Sequence, residues 1–112
     1  MARSTGSSKI KTAVFISGTG SNLNSLIKFS KLKESPITID IIISNNPKSE
    51  GLNFGKIYKI KKKIFNFKKN TSPEKEILIE LQKNKIKFIC LAGFMKILSK
   101  NFIKKFRGQI LN

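Results

Sequence analysis

Short apolar runs of strand length recur along the chain. The clearest are Lys11–Ile16, Ile37–Ile43 and Lys87–Leu91, in which β-branched and other apolar residues predominate. Runs of this kind are typical of strands buried on both faces of a parallel sheet. Weaker strand patterns are found at Lys63–Phe65 and from Gln109 onward. The chain is therefore predicted to contain five strands.

Between the strands, apolar residues return at helical spacing. Helices are predicted at Asn22–Glu34, Glu50–Ile57, Pro73–Asn84 and, capped by its first residue, Ser99–Phe106. Strand and helix thus alternate, which predicts an α/β fold, a Rossmann-like parallel sheet with flanking helices. Ligands of such sheets bind at the carboxyl ends of the strands, near the point where the strand order reverses.

With 112 residues, the chain is long enough for one small domain. Residues 1–10 are expected to be a flexible basic leader, and residues 11–112 the domain itself. The leader lacks the apolar core of a secretory signal, and no run is long enough to span a bilayer. The single cysteine, Cys90, excludes an internal disulfide and is expected to be a small buried residue. These features predict a cytoplasmic protein without a membrane partner.

The net charge of +17 suggests a polyanionic partner such as nucleic acid. All of the 23 basic residues except Arg3 and Arg107 are lysine, whereas base recognition favours arginine. Lysine, isoleucine and asparagine, which dominate the composition, also share A/T-rich codons. The stretch 56–69 interleaves lysines with Tyr58, Phe65 and Phe67, but such stretches are more often a solvated surface. The composition therefore argues against a nucleic-acid partner.

Histidine is absent from the sequence. Together with the single cysteine, this rules out a zinc site of the usual kind within these residues, so no metal is predicted. The Ser-His-Asp and Cys-His schemes of nucleophilic catalysis are excluded as well, because their base is missing.

A glycine loop, Ser17–Leu23 with the sequence SGTGSNL, follows the first strand and opens the first helix. Glycines let the backbone approach a ligand closely, and the unpaired amides of a first helical turn attract anions. Leu23 stands where a dinucleotide fingerprint has glycine, so a phosphomonoester fits better than a dinucleotide. The alternative is a plain strand-to-helix turn in which Ser21 or Asn22 caps the helix.

A second segment, Leu91–Ser99 with the sequence LAGFMKILS, leaves the fourth strand. Gly93 would let backbone amides face a ligand, and the apolar residues around it could line a flat aromatic molecule. The alternative is a core loop that anchors the next helix.

Together the two segments resemble those of the phosphoribosylglycinamide formyltransferases, across most of the chain. The resemblance implies the amino-terminal half of the formyltransferase fold. It also implies formyl transfer from 10-formyltetrahydrofolate, as cosubstrate, to the amine of 5'-phosphoribosylglycinamide in purine biosynthesis. The partners would be these small molecules. The sequence carries no indication of oligomeric state.

The resemblance also assigns roles to individual residues. The substrate phosphate would be bound by Thr19, Gly20, Ser21 and Asn22. The pterin would contact Met95, Lys96, Ile97 and Leu98. Further candidates are Gly93 beside the ribonucleotide, Lys69 near the phosphate and Ile103 as a packing neighbour of the pterin. Lys96 stands where the family commonly has arginine.

Asn112 aligns with the family's catalytic asparagine, which donates a hydrogen bond to the oxyanion of the tetrahedral intermediate. In the family, Ile-Leu-Asn continues into Ile-His-Pro, and a downstream aspartate orients the histidine. Loss of one oxyanion donor typically costs about 10²–10³ in rate, and loss of a proton-transfer group costs a similar factor. Without that histidine and aspartate, the 112 residues alone are expected to be inactive. The alternatives are a non-catalytic remnant that binds a phosphate ligand or a partner, and, more distantly, a basic nucleic-acid-binding module.

Overall fold

Strands and helices alternate through residues 9–68 and 71–112, which are the residues that the structure, a computed structural model, describes. The strands are β1 (Ile10–Ile16), β2 (Ile37–Ser44), β3 (Lys61–Ile64), β4 (Phe88–Leu91) and β5 (Gln109–Leu111). The helices are α1 (Ser21–Ser30), α2 (Asn53–Tyr58), α3 (Glu74–Lys83) and α4 (Lys100–Lys105), and a 3-10 helix at Glu50–Leu52 precedes α2. Each predicted element is present, with shifted ends.

All neighbouring strands are parallel, in the order β3-β2-β1-β4-β5. The chain builds outward from β1 in one direction through β3, then returns to the other side of β1 with β4. The strand order therefore reverses between β1 and β4. The carboxyl ends of these two strands form the switch point at which α/β sheets bind ligands. The prediction of a Rossmann-like parallel sheet is confirmed.

Helices cover both faces of the sheet. Because successive side chains of a strand point to opposite faces, each central strand contributes residues to two core clusters. On β1, Ala13 and Phe15 face a core cluster that includes residues of α3 and α4. Val14 and Ile16 face the other cluster, which includes Leu23 of α1. A strand packed on both faces has a nearly continuous apolar sequence, which explains why β1, β2 and β4 give the clearest strand patterns.

The first strand begins one residue before its predicted start. The Ile10 amide donates to the Pro36 carbonyl at 2.8 Å, and Ile10 pairs with Ile37 of β2. The Lys9 ammonium donates to the Leu32 carbonyl at 2.9 Å. Lys9 and Ile10 are thus part of the fold rather than of the predicted leader, whose residues 1–8 lie outside the described range.

Helix α1 ends at Ser30, four residues before the predicted Glu34. The Ser30 hydroxyl donates to the Ile27 carbonyl at 2.7 Å, and the Lys31 amide is shared between the carbonyls of Ile27 and Lys28, each at 3.2 Å. Such tightened bonds are usual in a last helical turn.

Nowhere in residues 9–68 and 71–112 is there a helix with the length and apolar character that a membrane crossing requires.

Glu80 on α3 is a buried acid between α3 and β3. Its carboxylate accepts a hydrogen bond from Asn84 Nδ2 at 2.9 Å and lies 3.6 Å from the Lys61 ammonium and 3.9 Å from the Lys63 ammonium. Burial by itself would raise the pKa of Glu80. The Asn84 hydrogen bond and the charges of nearby lysines outweigh burial and hold the pKa below its ordinary value.

This arrangement predicts an acid-dependent part of the stability. A carboxyl group whose pKa is lower in the folded state stabilises the fold above its unfolded-state pKa and stops doing so as the pH falls through the folded-state pKa. At pH 7, Glu80→Gln should lower the free energy of unfolding by about 1–3 kcal/mol. The difference in the free energy of unfolding between the variant and the parent should shrink as the pH falls below 4.5, the ordinary pKa of a glutamate. Denaturant unfolding at several pH values measures it.

The exposed Glu76 on the same helix provides the matched control. Glu76→Gln removes the same charge without removing a buried contact, so its effect on the free energy of unfolding should be small at every pH. A Glu80→Gln curve that runs parallel to that of the parent from pH 7 to pH 3 would contradict the role assigned to Glu80.

Candidate active site

Three connections meet beyond the carboxyl ends of the central strands. They are the glycine loop after β1, the turn after β2 that begins at Asn45, and the Leu91–Ser99 segment at the end of β4. Asn112 follows β5 at the same edge of the sheet. The topology therefore brings to one edge most of the residues that the resemblance assigned to ligands, although Thr19 and Asn112 are separated by more than four-fifths of the chain.

The glycine loop is shaped by a close backbone contact. Gly20 has φ +75°, in the left-handed region that side chains disfavour, and precedes the first residue of α1. A Cβ atom at Gly20 would lie 2.7 Å from the Cα of Gly51, which is in the 3-10 helix. A Cβ atom at Gly51 would in turn lie 3.0 Å from the Cα and 3.2 Å from the backbone nitrogen of Gly20. Both glycines are therefore required by packing.

Hydrogen bonds from the 3-10 region hold the glycine loop in place. The carbonyl of Gly18 accepts from the Ser49 hydroxyl at 2.6 Å and from the Gly51 amide at 3.0 Å. No side chain caps the first turn of α1, whose N-cap is Gly20. The expected cap at Ser21 or Asn22 is therefore wrong, and Thr19, Ser21 and Asn22 all have exposed side chains.

In the Leu91–Ser99 segment, Phe94 points inward. Its ring lies edge-on to Phe15 at 5.3 Å and to Phe67 at 5.8 Å between centroids. At the far end of the segment, Ser99 donates from its amide and hydroxyl to the Glu74 carboxylate, at 2.7 and 2.6 Å. Its hydroxyl also accepts from the Phe102 amide at 3.0 Å, which confirms Ser99 as the cap of α4. The segment is thus anchored both to the core and to α3.

Most of the residues assigned to the pterin, and the neighbouring candidates Gly93 and Ile103, have exposed side chains or backbone. Met95 is 78% exposed and Ile97 is 92% exposed, more than any other large apolar side chain in the described residues. Ile103 on α4 is half exposed, and Lys96 and Gly93 are exposed as well. Gly93 has φ +75°, and a Cβ atom there would meet no atom within 4 Å.

Leu98 differs from its neighbours because it is buried in the core cluster with Phe15 and Phe102. The sequence pattern grouped it with Met95 and Ile97 as a side chain facing a ligand. With its side chain in the core, Leu98 has only its backbone to offer to a ligand.

Asn112 is placed by the pairing of β5 with β4. Cys90 pairs with Leu111, so Asn112 lies level with Leu91, where the Leu91–Ser99 segment begins. Its side chain is exposed. The register of a three-residue strand thus sets the position of the candidate catalytic amide. Lys69, the remaining candidate, lies outside the described residues.

Two site residues, Ser17 and Asn45, were not recognised in the sequence. The Ser17 hydroxyl donates to Asn45 Oδ1 and accepts from the Met95 amide at 2.8 Å. The sequence pattern places Ser17 at the start of the glycine loop and assigns no ligand role to Asn45. Their positions directly after β1 and β2 could have identified them, since strand ends at a switch point surround the ligand.

The chemistry of the described residues is restricted. Cys90 is buried in β4, and burial raises the pKa of its thiol, so it is not an activated nucleophile. Residues 9–68 and 71–112 hold no group of three or more acids and cysteines arranged to bind a metal ion. What the site offers is backbone amides, an exposed apolar surface and the amide side chains of Asn22 and Asn112.

Comparisons with known proteins agree with this arrangement. The formyl transferase family model matches residues 10–112. The chain belongs to the formyl transferase family.

The chain is also similar to curated relatives in purine biosynthesis. It is 39% identical over 107 residues to the trifunctional purine biosynthetic protein adenosine-3 of Homo sapiens, covering 93% of this chain and 11% of that protein. It is 38% identical over 105 residues to phosphoribosylglycinamide formyltransferase of Haemophilus influenzae, covering 91% of this chain and 50% of that enzyme. The predicted resemblance to phosphoribosylglycinamide formyltransferases is confirmed.

Solved structures show the same fold. Phosphoribosylglycinamide formyltransferase from Brucella melitensis superposes with a TM-score of 0.84 at 33% identity, over 91% of this chain and 55% of that one. The enzyme from Anaplasma phagocytophilum gives a TM-score of 0.81 at 32% identity, over 91% and 48%. The chain thus spans about half the length of the single-function relatives it matches.

Proposed function

We propose that the chain contributes the ribonucleotide-phosphate site, the pterin site and the oxyanion-binding asparagine to formyl transfer from 10-formyltetrahydrofolate to 5'-phosphoribosylglycinamide. The observation that carries the proposal is the meeting of the glycine loop, the Leu91–Ser99 segment and Asn112 at one switch point, in a chain of the formyl transferase family. A phosphate and a flat apolar ring could bind side by side at this edge.

The glycine loop suits a phosphomonoester. The amide of Asn24 donates to the carbonyl of Gly20 at 2.9 Å and closes the first turn of α1. The amides of Ser21 and Asn22 precede that bond and have no acceptor within the helix. The positive end of the helix dipole adds attraction for an anion, and the exposed Thr19 and Ser21 hydroxyls can donate to its oxygens.

The Leu91–Ser99 segment suits the pterin. Met95 and Ile97 expose apolar surface that a ring could cover, and the half-buried Phe94 and the buried Leu98 on either side keep this part of the chain in place. A reduced pterin presents hydrogen-bonding groups along its edge. Exposed backbone groups at Gly93, Lys96 and Ile97 could pair with them, with Ile103 as an apolar neighbour. Lys96 needs no arginine-like fork if the backbone makes these contacts.

The reaction implied is attack by the substrate amine on the formyl carbon, which turns the formyl oxygen into an oxyanion. Asn112 Nδ2 would donate a hydrogen bond to that oxygen and stabilise the negative charge as it develops. Collapse of the intermediate requires a proton to move from the attacking nitrogen to the leaving nitrogen. The sequence has no histidine to move it, so the 112 residues alone should bind both ligands without turnover.

Binding measurements test the proposal directly. Ribose 5-phosphate should shift the amide resonances of Thr19, Ser21 and Asn22, and 5-formyltetrahydrofolate should shift those of Met95 and Ile97. Incubation with both true substrates should give no formyl transfer above the rate without protein. Absence of both sets of shifts would overturn the proposal.

The coding DNA beyond the Asn112 codon provides an independent test. An in-frame Ile-His-Pro would supply the missing histidine and support catalysis by the longer product. A stop codon would favour the second candidate function, a non-catalytic remnant that binds a phosphate ligand or a partner.

The aromatic residues of stretch 56–69 count against the nucleic-acid alternative. Phe65 and Phe67 pack against the core cluster, and the Tyr58 hydroxyl donates to Asn24 Oδ1 at 3.0 Å. Base stacking needs free ring faces, and these rings are half buried. Steeply salt-dependent binding to arbitrary DNA would revive that alternative.

A further inference from the structure

One hydroxyl connects the two proposed binding segments. Ser17 Oγ accepts from the Met95 amide at 2.8 Å, across 78 positions of sequence. Within residues 9–68 and 71–112, this is the one hydrogen bond that joins the glycine loop to the Leu91–Ser99 segment. Ser17 is only 9% exposed, so water does not readily replace the contact.

Asn45 orients the Ser17 hydroxyl for this hydrogen bond. A serine hydroxyl has one proton to donate and two lone pairs that accept. The proton of Ser17 goes to Asn45 Oδ1, an atom that can only accept, so the lone pairs remain free for the Met95 amide. The Asn46 side-chain amide also donates to the Ser17 carbonyl, at 3.4 Å. The ends of β1 and β2 thus cooperate in holding Met95.

We infer that Ser17 is a positioning residue that sets the pterin segment against the phosphate site, with Asn45 orienting its hydroxyl. This inference rests on the proposed function. Met95 is otherwise free to move, because its side chain is 78% exposed and makes little contact with the core. The nearest anchors in the segment are the ring of Phe94 before it and Leu98 after it. Loss of the Ser17 hydroxyl should therefore loosen Met95 first.

The role has a consequence for ligand affinity. The folate meets the segment at Met95, whereas the phosphate meets amides that Ser17 does not touch. Ser17→Ala should therefore weaken 5-formyltetrahydrofolate about tenfold and ribose 5-phosphate less than about threefold, since a lost buried hydrogen bond corresponds to roughly one factor of ten. A variant that merely lowered global stability would affect both ligands alike.

Three variants of the chain separate these possibilities. Ser17→Ala removes the hydroxyl, and Ser17→Thr keeps it. Ser35→Ala removes another buried hydroxyl, which bonds to the backbone of Ile37 at the opposite edge of the sheet. The measurements are hydrogen exchange of the Met95 amide, exchange of the Val14 amide in β1, and the two dissociation constants.

We expect Met95 exchange to rise about tenfold in Ser17→Ala, to return toward the parent rate in Ser17→Thr, and to stay at the parent rate in Ser35→Ala. Exchange at Val14 reports global unfolding and should rise to a similar extent in Ser17→Ala and Ser35→Ala, because each of these variants loses one buried hydroxyl. Unchanged Met95 exchange in Ser17→Ala would overturn the inference, as would equal weakening of both ligands. If Ser17→Ala does not fold, Asn45→Ala is measured instead and should raise the exchange rate of the Met95 amide by a smaller factor. An unchanged Met95 rate in Asn45→Ala would also overturn the inference.

Failure of the proposed function would look different. If the parent chain binds no 5-formyltetrahydrofolate, the assignment of a pterin to the segment is wrong. The exchange rate of Met95 still decides whether Ser17 holds the segment, because that measurement needs no ligand.

Discussion

Gly20→Ala should abolish phosphate binding and lower the free energy of unfolding by roughly 2–5 kcal/mol. The left-handed backbone at Gly20 is disfavoured for any residue with a Cβ atom. The new methyl group would also lie 2.7 Å from Gly51 Cα, a backbone atom that cannot move without shifting the 3-10 helix. Relief of the clash must displace the start of α1, whose amides form the proposed anion site. Denaturant unfolding and titration with ribose 5-phosphate measure the two effects.

Gly18→Ala is the matched control, two positions earlier in the same loop. A Cβ atom at Gly18 would meet nothing within 4 Å, and Gly18 does not have a positive φ. We expect stability within about 0.5 kcal/mol of the parent. Equal losses in the two variants would show that the loop tolerates no side chain anywhere, and would remove the special role of the Gly20–Gly51 contact.

Gly108→Ala is the second large effect, and it acts on Asn112. A Cβ atom at Gly108 would lie 2.1 Å from the Lys87 carbonyl oxygen and 2.9 Å from the Phe106 ring. The same carbonyl accepts from the Gln109 amide at 3.1 Å, a bond at the start of β5. The methyl group should therefore force β5 away from β4. We expect the free energy of unfolding to fall by about 1–3 kcal/mol and the amides of Ile110 and Leu111 to exchange faster.

The neighbouring position supplies the control. Gln109 is exposed, and Gln109→Ala leaves the backbone bond to Lys87 intact, so it should change exchange at Ile110 little. If Gly108→Ala leaves β5 as well protected as Gln109→Ala does, then the register of β5 does not depend on Gly108. The position of Asn112 would then need another explanation.

The sequence-based predictions are most accurate for features whose residues are adjacent in the chain, such as strands, a helix cap and a loop. Continuous apolar runs identified β1 and β2, and Ser99 was correctly predicted to cap α4. Element ends were less accurate, since the end of α1 at Ser30 depends on hydrogen bonds in its last turn rather than on side-chain periodicity. The glycine loop was found because its glycines and the following helix are adjacent in sequence.

The sequence by itself determined the α/β class, the family and the two segments at strand ends, because each depends on residues close together in the chain. Only the tertiary structure decided which residues support those segments. The Gly20–Gly51 contact, the bond from Met95 to Ser17 and the burial of Leu98 all join parts of the chain that are distant in sequence. Such contacts depend on the order and register of parallel strands, and local periodicity carries no information about either.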